Sequence, residues 1–395
     1  MDTITIKSKL EKIKQYLCED KVLLALWIIL PIIAWATKYF PGKYNNFLIF
    51  RGNFFHAIEQ LSLYGPYPSE YNDMNHYGPV FSCLIAPFAV MPMWLSLLTW
   101  LLALSLLLYW AIKTLPINKM GYVFVYWICA HELLTGLFMS QFNIATAALI
   151  IFSFTLVQKE KDFWATFAIA LGFMVKLYGI VGLAFFFFSK HKIKFILSGL
   201  FWLAVMFVLP MAYTSPEYII GQYAEWFTDL VSKNEGNTLA AYQNISLLGM
   251  IRKATQNTAY SDLWVLIPSV LLFFLPYLRV KQYKYLPFRM AILASVLICT
   301  VILSTGSESS TYIIAFCGVA IWYKFVPWKR NKWDLALLIF AFILTSFSPS
   351  DLFPKYLRDE FVRPYALKAL PCVMIWLKLT YELLTRDYKY DKEII

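Results

Sequence analysis

Asn45, Asn46, Arg51, His56, Glu59, Glu70, Asp73 and His76 fall between positions 45 and 76, directly after the first apolar run. Carboxylates in such a group can take the proton of a hydroxyl, and a cation beside them can hold a phosphate leaving group. Glu70 and Asp73 stand at the three-residue spacing that shares a face if the stretch is helical; the plain alternative is a solvated loop. Lys176 interrupts another apolar run. An ionisable group at membrane depth is costly, so it marks a site that holds a phosphate, or else it snorkels to the interface. His131 and Glu132 are adjacent and are expected to pair with each other or with Lys176, while Gln141 and Asn143 follow at the end of the same stretch. Amides there bind a ligand or cap backbone groups. Glu308, in Gly306-Ser-Glu-Ser-Ser-Thr-Tyr312, and Asn244, in Tyr242-Gln-Asn-Ile-Ser-Leu-Leu-Gly249, complete the candidates. The chain has no Walker loop, HExxH or CxxC, and its acids lack coordination spacing, so no cofactor and no metal is expected.

The elements that position these groups must be membrane helices. Of 395 residues, 60% are hydrophobic, 18% aromatic and 15% charged, a mix unsuited to a soluble domain. Continuous apolar runs such as 22–35, 195–213 and 335–347 recur at the length a bilayer helix needs, whereas barrel strands would be short and alternating. The expected fold is an all-α integral membrane protein, a bundle of about 12 transmembrane helices with juxtamembrane helices outside. The formal charge of +11 is read as cytoplasmic loop charge rather than as a nucleic-acid surface. Cys83, Cys129, Cys299, Cys317 and Cys372 lie in or beside apolar segments without paired spacing and read as packing residues.

Charge bias sets the expected orientation. A lysine-rich segment, 1–21, stays in the cytoplasm before an uncleaved first span, and 22–384 form a single transmembrane domain. Segments 37–78 and 214–262 are the long external loops, 79–92 is a juxtamembrane or re-entrant helix, and 385–395 is a cytoplasmic tail. An amphipathic helix is expected over 47–63. Basic loops on both sides require 163–189 to be a hairpin of two short helices broken near Lys176, which then lies at the outer end. Tyr64, Tyr67, Tyr71, Tyr77, Tyr218, Tyr223 and Trp226 are expected at the membrane interface.

Several short motifs then follow in a telling order. They are Asn46-Phe-Leu-Ile-Phe50, Tyr77-Gly-Pro-Val-Phe81, Ala86-Pro87, Met91-Pro92, Gln141-Phe-Asn143, Leu171-Gly-Phe-Met-Val-Lys176-Leu-Tyr178 and Asn244-Ile-Ser-Leu-Leu-Gly249. In this order the chain resembles glycosyltransferase family 87, polyprenyl-phosphate-sugar-dependent enzymes of the GT-C superfamily. The resemblance implies a GT-C-like bundle in a bacterial inner membrane. It also implies a polyprenyl-phosphate-linked sugar donor of mannose type, a lipid or glycan acceptor, and inverting transfer on the external face. It places the base in the first external loop. Where the family pattern has aspartate this chain has Asn46, and an amide is no base, so the role passes to Glu70, Asp73 or Glu59, or the activity is lost. Arg51, Lys176 and Tyr178 are expected to hold the donor phosphate, and Asn46, His56, His76, Tyr77, Gln141, Asn143, Asn244 and Glu308 to contact substrate. The alternatives are a transporter or lipid-sugar flippase, against which the lack of internal repeats argues, and an inactive assembly partner.

Overall fold

The computed structural model describes residues 11–389 apart from positions 14, 239, 241, 258 and 260. The outermost parts of the expected cytoplasmic segments, 1–10 and 390–395, lie outside the described residues. Among the described residues the chain is helical and has no strand. Four helices are long and apolar enough to cross a membrane, namely α1 (Asp20–Tyr39), α4 (Met93–Lys113), α5 (Lys119–Phe138) and Lys192–Ala212, of which Lys192–Val208 is α8. At a rise of about 1.5 Å per residue, some 20 residues match the hydrocarbon thickness. Between these come α2 (Asn45–Ile58), α3 (Phe81–Ala89), α6 (Asn143–Gln158) and α7 (Asp162–Val175). After them come α9 (Pro216–Gly236), α10 (Leu247–Thr255), α11 (Leu263–Phe274), α12 (Leu286–Ile302), α13 (Tyr312–Lys324), α14 (Lys332–Phe340) and α15 (Leu370–Thr385).

Burial sorts the helices into centre and rim. Helices α6, α12 and α13 are apolar and covered nearly all round, which makes them the middle of the bundle. By contrast, α8 exposes Ile193, Leu197, Leu200 and Phe201, and α11 exposes Trp264, Ile267 and Leu271. Apolar faces of that extent are stable against lipid tails and not against water. Glu132 and Lys368, 236 positions apart, form a buried ion pair at 3.1 Å, while His131 Nδ1 meets Ser346 Oγ at 2.9 Å. This corrects the expected pairing with Lys176: the last quarter of the chain supplies a lysine that comes closer.

The hairpin expected over 163–189 is present as α7, an extended Lys176, and a 3₁₀ helix, Leu177–Phe188. Its halves touch so closely that a Cβ on Gly179 would lie 2.2 Å from the backbone nitrogen of Phe173. The amphipathic helix expected over 47–63 is α2, which stops at Ile58. The nine-residue α3 is far too short to cross a membrane. The stretch holding Glu70 and Asp73 is not helical, and Asp73 has φ +74°, so the two carboxylates do not share a helical face.

The two long connecting segments pack on each other at one end of the bundle. Ala57, Leu63, Tyr64 and Trp226 form a small core there, with Tyr213, Tyr218 and Tyr223 against it. Tyr218 OH donates to Leu61 O at 2.7 Å, and Gln222 Oε1 accepts the Leu63 amide at 2.7 Å. Tyr64, Tyr71, Tyr77 and Trp226 are therefore buried inside this cap rather than spread along a membrane surface. The Tyr64 and Tyr71 hydroxyls and the Trp226 indole find partners within the cap, and the Tyr77 hydroxyl meets the Phe142 amide of the bundle, which is what allows burial.

Candidate active site

A cavity of about 380 Å³ lies between the cap and the bundle. Its position follows from Lys176, where the hairpin leaves α7 in extended geometry (φ −153°, ψ 96°) and the half-buried side chain meets the cavity. Lys176 Nζ donates to Asn143 Oδ1 at 2.8 Å, and it stands 5.6 Å from the Tyr77 ring centroid and 5.0 Å from that of Tyr178. Burial pushes the amine down to about 8, with Glu308 opposing the shift and Lys233 adding to it. The cap is fastened here by Gly78, whose amide donates to Val175 O at 3.0 Å and whose missing Cβ would sit 1.9 Å from Met174 O.

A polarised chain of side chains runs from this amine to a carboxylate. Asn143 Nδ2 donates to Gln141 Oε1 at 2.6 Å, and Gln141 Nε2 donates to Glu308 Oε2 at 2.9 Å. Gln243 Nε2 donates to the other oxygen, Oε1, at 2.8 Å. Ser310 Oγ also donates to Gln141 Oε1, so each amide has one orientation that satisfies all its neighbours. Across the cavity Tyr77 OH accepts from the Phe142 amide at 3.2 Å, and Tyr178 OH accepts from Ser304 Oγ at 2.9 Å.

Of the residues expected to act, Asn46, Asp73, His76, Tyr77, Gln141, Lys176, Tyr178 and Glu308 line this one cavity, and Asn143 stands directly behind Lys176. Asn46 Nδ2 is tied to Met139 O at 3.0 Å. Besides Asn143, five others do not line it. Arg51 braces the end of α3, with Nε to Ala89 O at 2.7 Å and Nη2 to Met91 O at 3.1 Å. His56 stacks on Tyr67 and meets Glu70 at 3.2 Å. Glu59 is exposed at the end of α2, and Asn244 turns the chain with φ +51° while its Oδ1 accepts from Ser246 Oγ. The three acids named for the base thus separate, and only Asp73 borders the cavity.

Sequence reasoning missed Lys233, Asn234, Asn237 and Gln243, which also line the cavity. Trp226, Leu230 and Lys233 recur at helical spacing along α9, with Asn237 at its C-cap continuing the same face, so a periodicity count over 216–237 would have found them. Asp229, also missed, accepts from His76 Nδ1 at 2.8 Å. Among the described residues no three His, Cys, Asp or Glu side chains stand together as a metal site.

A helical bundle with broad exposed apolar faces and a cavity at one end, where a lysine stands among amides, hydroxyls and two carboxylates, defines a membrane protein with a polar site beneath its cap. A family model matches residues 75–305, more than half of the chain, and the protein belongs to glycosyltransferase family 87. It is accordingly a membrane glycosyltransferase by family. The matched range includes His76, Tyr77, Lys176 and the α9 face, and it leaves Asn46, Asp73 and Glu308 outside. No curated protein matches the chain.

Proposed function

We propose that this protein transfers a mannose-like hexose, with inversion, from a polyprenyl-phosphate donor to a lipid or glycan acceptor of the cell envelope. On this reading it is a GT-C-like bundle of about 12 crossings, with its cap and cavity on the outer face of a bacterial inner membrane and both termini in the cytoplasm. The observation that carries the reading is Lys176, a half-buried lysine at the break of the hairpin, bordering the cavity that Asn46, Gln141 and Glu308 also line. A cation there stabilises the phosphate as it leaves with the bonding electron pair. Lys233 supplies a second positive charge from the cap.

The lipid part of the donor has a matching place. An apolar groove of about 500 Å³ is lined by Ile180, Ala184, Phe187, Leu266, Val296 and Leu303. The 3₁₀ helix, α11 and α12 wall it, and its lining residues Ile180 and Leu303 stand two and one positions along the chain from the cavity residues Tyr178 and Ser304. On the acceptor side, Asp73 is the carboxylate of the first loop that borders the cavity, and it belongs to the machinery that receives the hydroxyl proton.

The test is transfer of radiolabelled sugar from synthetic polyprenyl-phosphate-mannose, and from related lipid-linked sugars, by the purified protein in lipid with a membrane extract as acceptor. Transfer that Lys176→Met and Asp73→Asn lower, and Glu70→Gln spares, supports the reading. An amide at Asn46, where the resembled pattern carries aspartate, favours an inactive assembly partner. Absence of transfer with every donor would leave that alternative standing and remove this one.

A further inference from the structure

Two residues of α9 reach back to His76 from across the cap. The indole of Trp226 donates to the His76 carbonyl at 3.1 Å, and three residues on, Asp229 Oδ2 lies 2.8 Å from His76 Nδ1. A carboxylate only accepts, so Nδ1 carries a proton towards Asp229, and Nε2 is the nitrogen left to exchange one. Nε2 is buried and has no hydrogen-bond partner, and Asp73 Oδ1 stands 4.0 Å from it. Asp229 is itself only 8% exposed, so the carboxylate that orients the ring is shielded from water. His76 lines the cavity that Lys176, Asn46 and Glu308 also line. An imidazole fixed through Nδ1 and unpartnered at Nε2 is the arrangement a general base needs.

We propose that His76 removes the proton of the acceptor hydroxyl, with Asp229 as its positioning residue and Asp73 flanking the imidazolium that forms. The inference rests on the transfer reading above and supplies the proton acceptor that Asn46 lacks. In the step, the acceptor O–H bond breaks and its proton passes to Nε2. The oxygen's electron pair forms the bond to the anomeric carbon, and the carbon–oxygen bond to phosphate breaks, its pair leaving with the lipid phosphate near Lys176. The imidazolium then returns its proton to water. A clamp joining segment 37–78 to α9 would also use the contact to Asp229, but it has no use for an unpartnered Nε2.

The experiment measures transfer from radiolabelled polyprenyl-phosphate-mannose in lipid for the wild type, His76→Gln, His76→Ala and Asp229→Asn, each checked by its melting temperature. Glutamine can keep a hydrogen bond to Asp229 but cannot take a proton, so kcat is expected to fall by about 10²- to 10⁴-fold with donor KM little changed. His76→Ala is expected to regain activity in added imidazole, in proportion to the free base. Asp229→Asn is expected to lower kcat and leave donor KM unchanged. A folded His76→Gln that keeps wild-type kcat overturns the proposal and leaves the transfer reading intact. A folded His76→Ala that imidazole does not revive overturns it in the same way. Failure of the wild type to transfer at all removes the transfer reading, and the base falls with it.

Discussion

Asn143 accepts a hydrogen bond from Lys176 across 2.8 Å, joining the start of α6 to the break after α7 and leaving the ammonium at the cavity with one protein acceptor fixed. The remaining N–H donors are those a phosphate would use. Lys176→Met is therefore expected to lower transfer by about 10²- to 10³-fold, as loss of a charge-stabilising donor does. The folded state should persist, because methionine fills the space without burying a charge. Rates and melting temperatures measured on one preparation check both statements.

The same amine makes donor binding pH-dependent. Burial holds Lys176 at about 8, so the unliganded site is cationic below that pH and neutral above it. Apparent donor KM is expected to rise as pH climbs through about 8, approaching tenfold per unit. Lys176→Arg should flatten the alkaline limb, since guanidinium stays charged. Glu308 raises the lysine's affinity for its proton, so Glu308→Gln should move the inflection to lower pH. Initial rates against donor concentration across neutral to alkaline pH give the inflection for each variant, and an unmoved inflection in Lys176→Arg would reject the assignment.

How far the site was legible depends on how far apart its members lie. The hairpin broken at Lys176 could be read because charge bias and apolar length act locally. Gln141, Asn143 and Glu308 were found as polar residues at helix ends, although the bonds from Gln141 to Glu308 and from Asn143 to Ser310 each cross 167 positions and leave no periodic trace. The cap was misjudged for a related reason. Tyr64, Tyr71 and Trp226 look amphipathic in sequence, and only the packing of 37–78 against α9 shows that their polar ends are satisfied inside. Arg51 looked like an anion site because sequence cannot show that Ala89 O and Met91 O already take its donors.

Gly78 is where backbone meets backbone. A methyl there would press on Met174 O at 1.9 Å and disturb the bond from its own amide to Val175 O. Gly78→Ala is expected to destabilise by about 1–3 kcal/mol or more, because neither backbone can yield. It should also impair transfer, since the cap then sits off the Lys176 break. Gly221→Ala is the matched control: a Cβ there meets nothing within 4 Å. Thermal unfolding in detergent separates the two, and equal melting temperatures would contradict the fastening role.

Glu132 and Lys368 are both almost fully buried, at 0% and 3% exposure of their side chains. Removing one partner strands the other, so Lys368→Met is expected to cost about 3–5 kcal/mol. Replacing both with apolar residues, Glu132→Leu with Lys368→Met, should recover most of that loss, because the desolvation of two charges disappears with their attraction. A double-mutant cycle on detergent melting curves checks this, and additive losses would show that the two are not coupled.

Arg51 and Lys233 offer a contrast between a brace and a ligand. Arg51 donates to two carbonyls at the end of α3 and does not line the Lys176 cavity, whereas Lys233 lies on the α9 face that does. Loss of charge-assisted hydrogen bonds predicts that Arg51→Ala destabilises by roughly 1.5–3 kcal/mol, with donor KM unchanged in the folded fraction. Lys233→Met should reverse the pattern, leaving the melting temperature near wild type and raising donor KM several-fold. Removing Lys233 also removes a charge that lowers Lys176, so the alkaline inflection should move to higher pH in this variant, opposite to Glu308→Gln. Paired melting curves and pH-resolved donor titrations of the two variants decide it. A raised donor KM in folded Arg51→Ala, with none in Lys233→Met, would return the phosphate to Arg51.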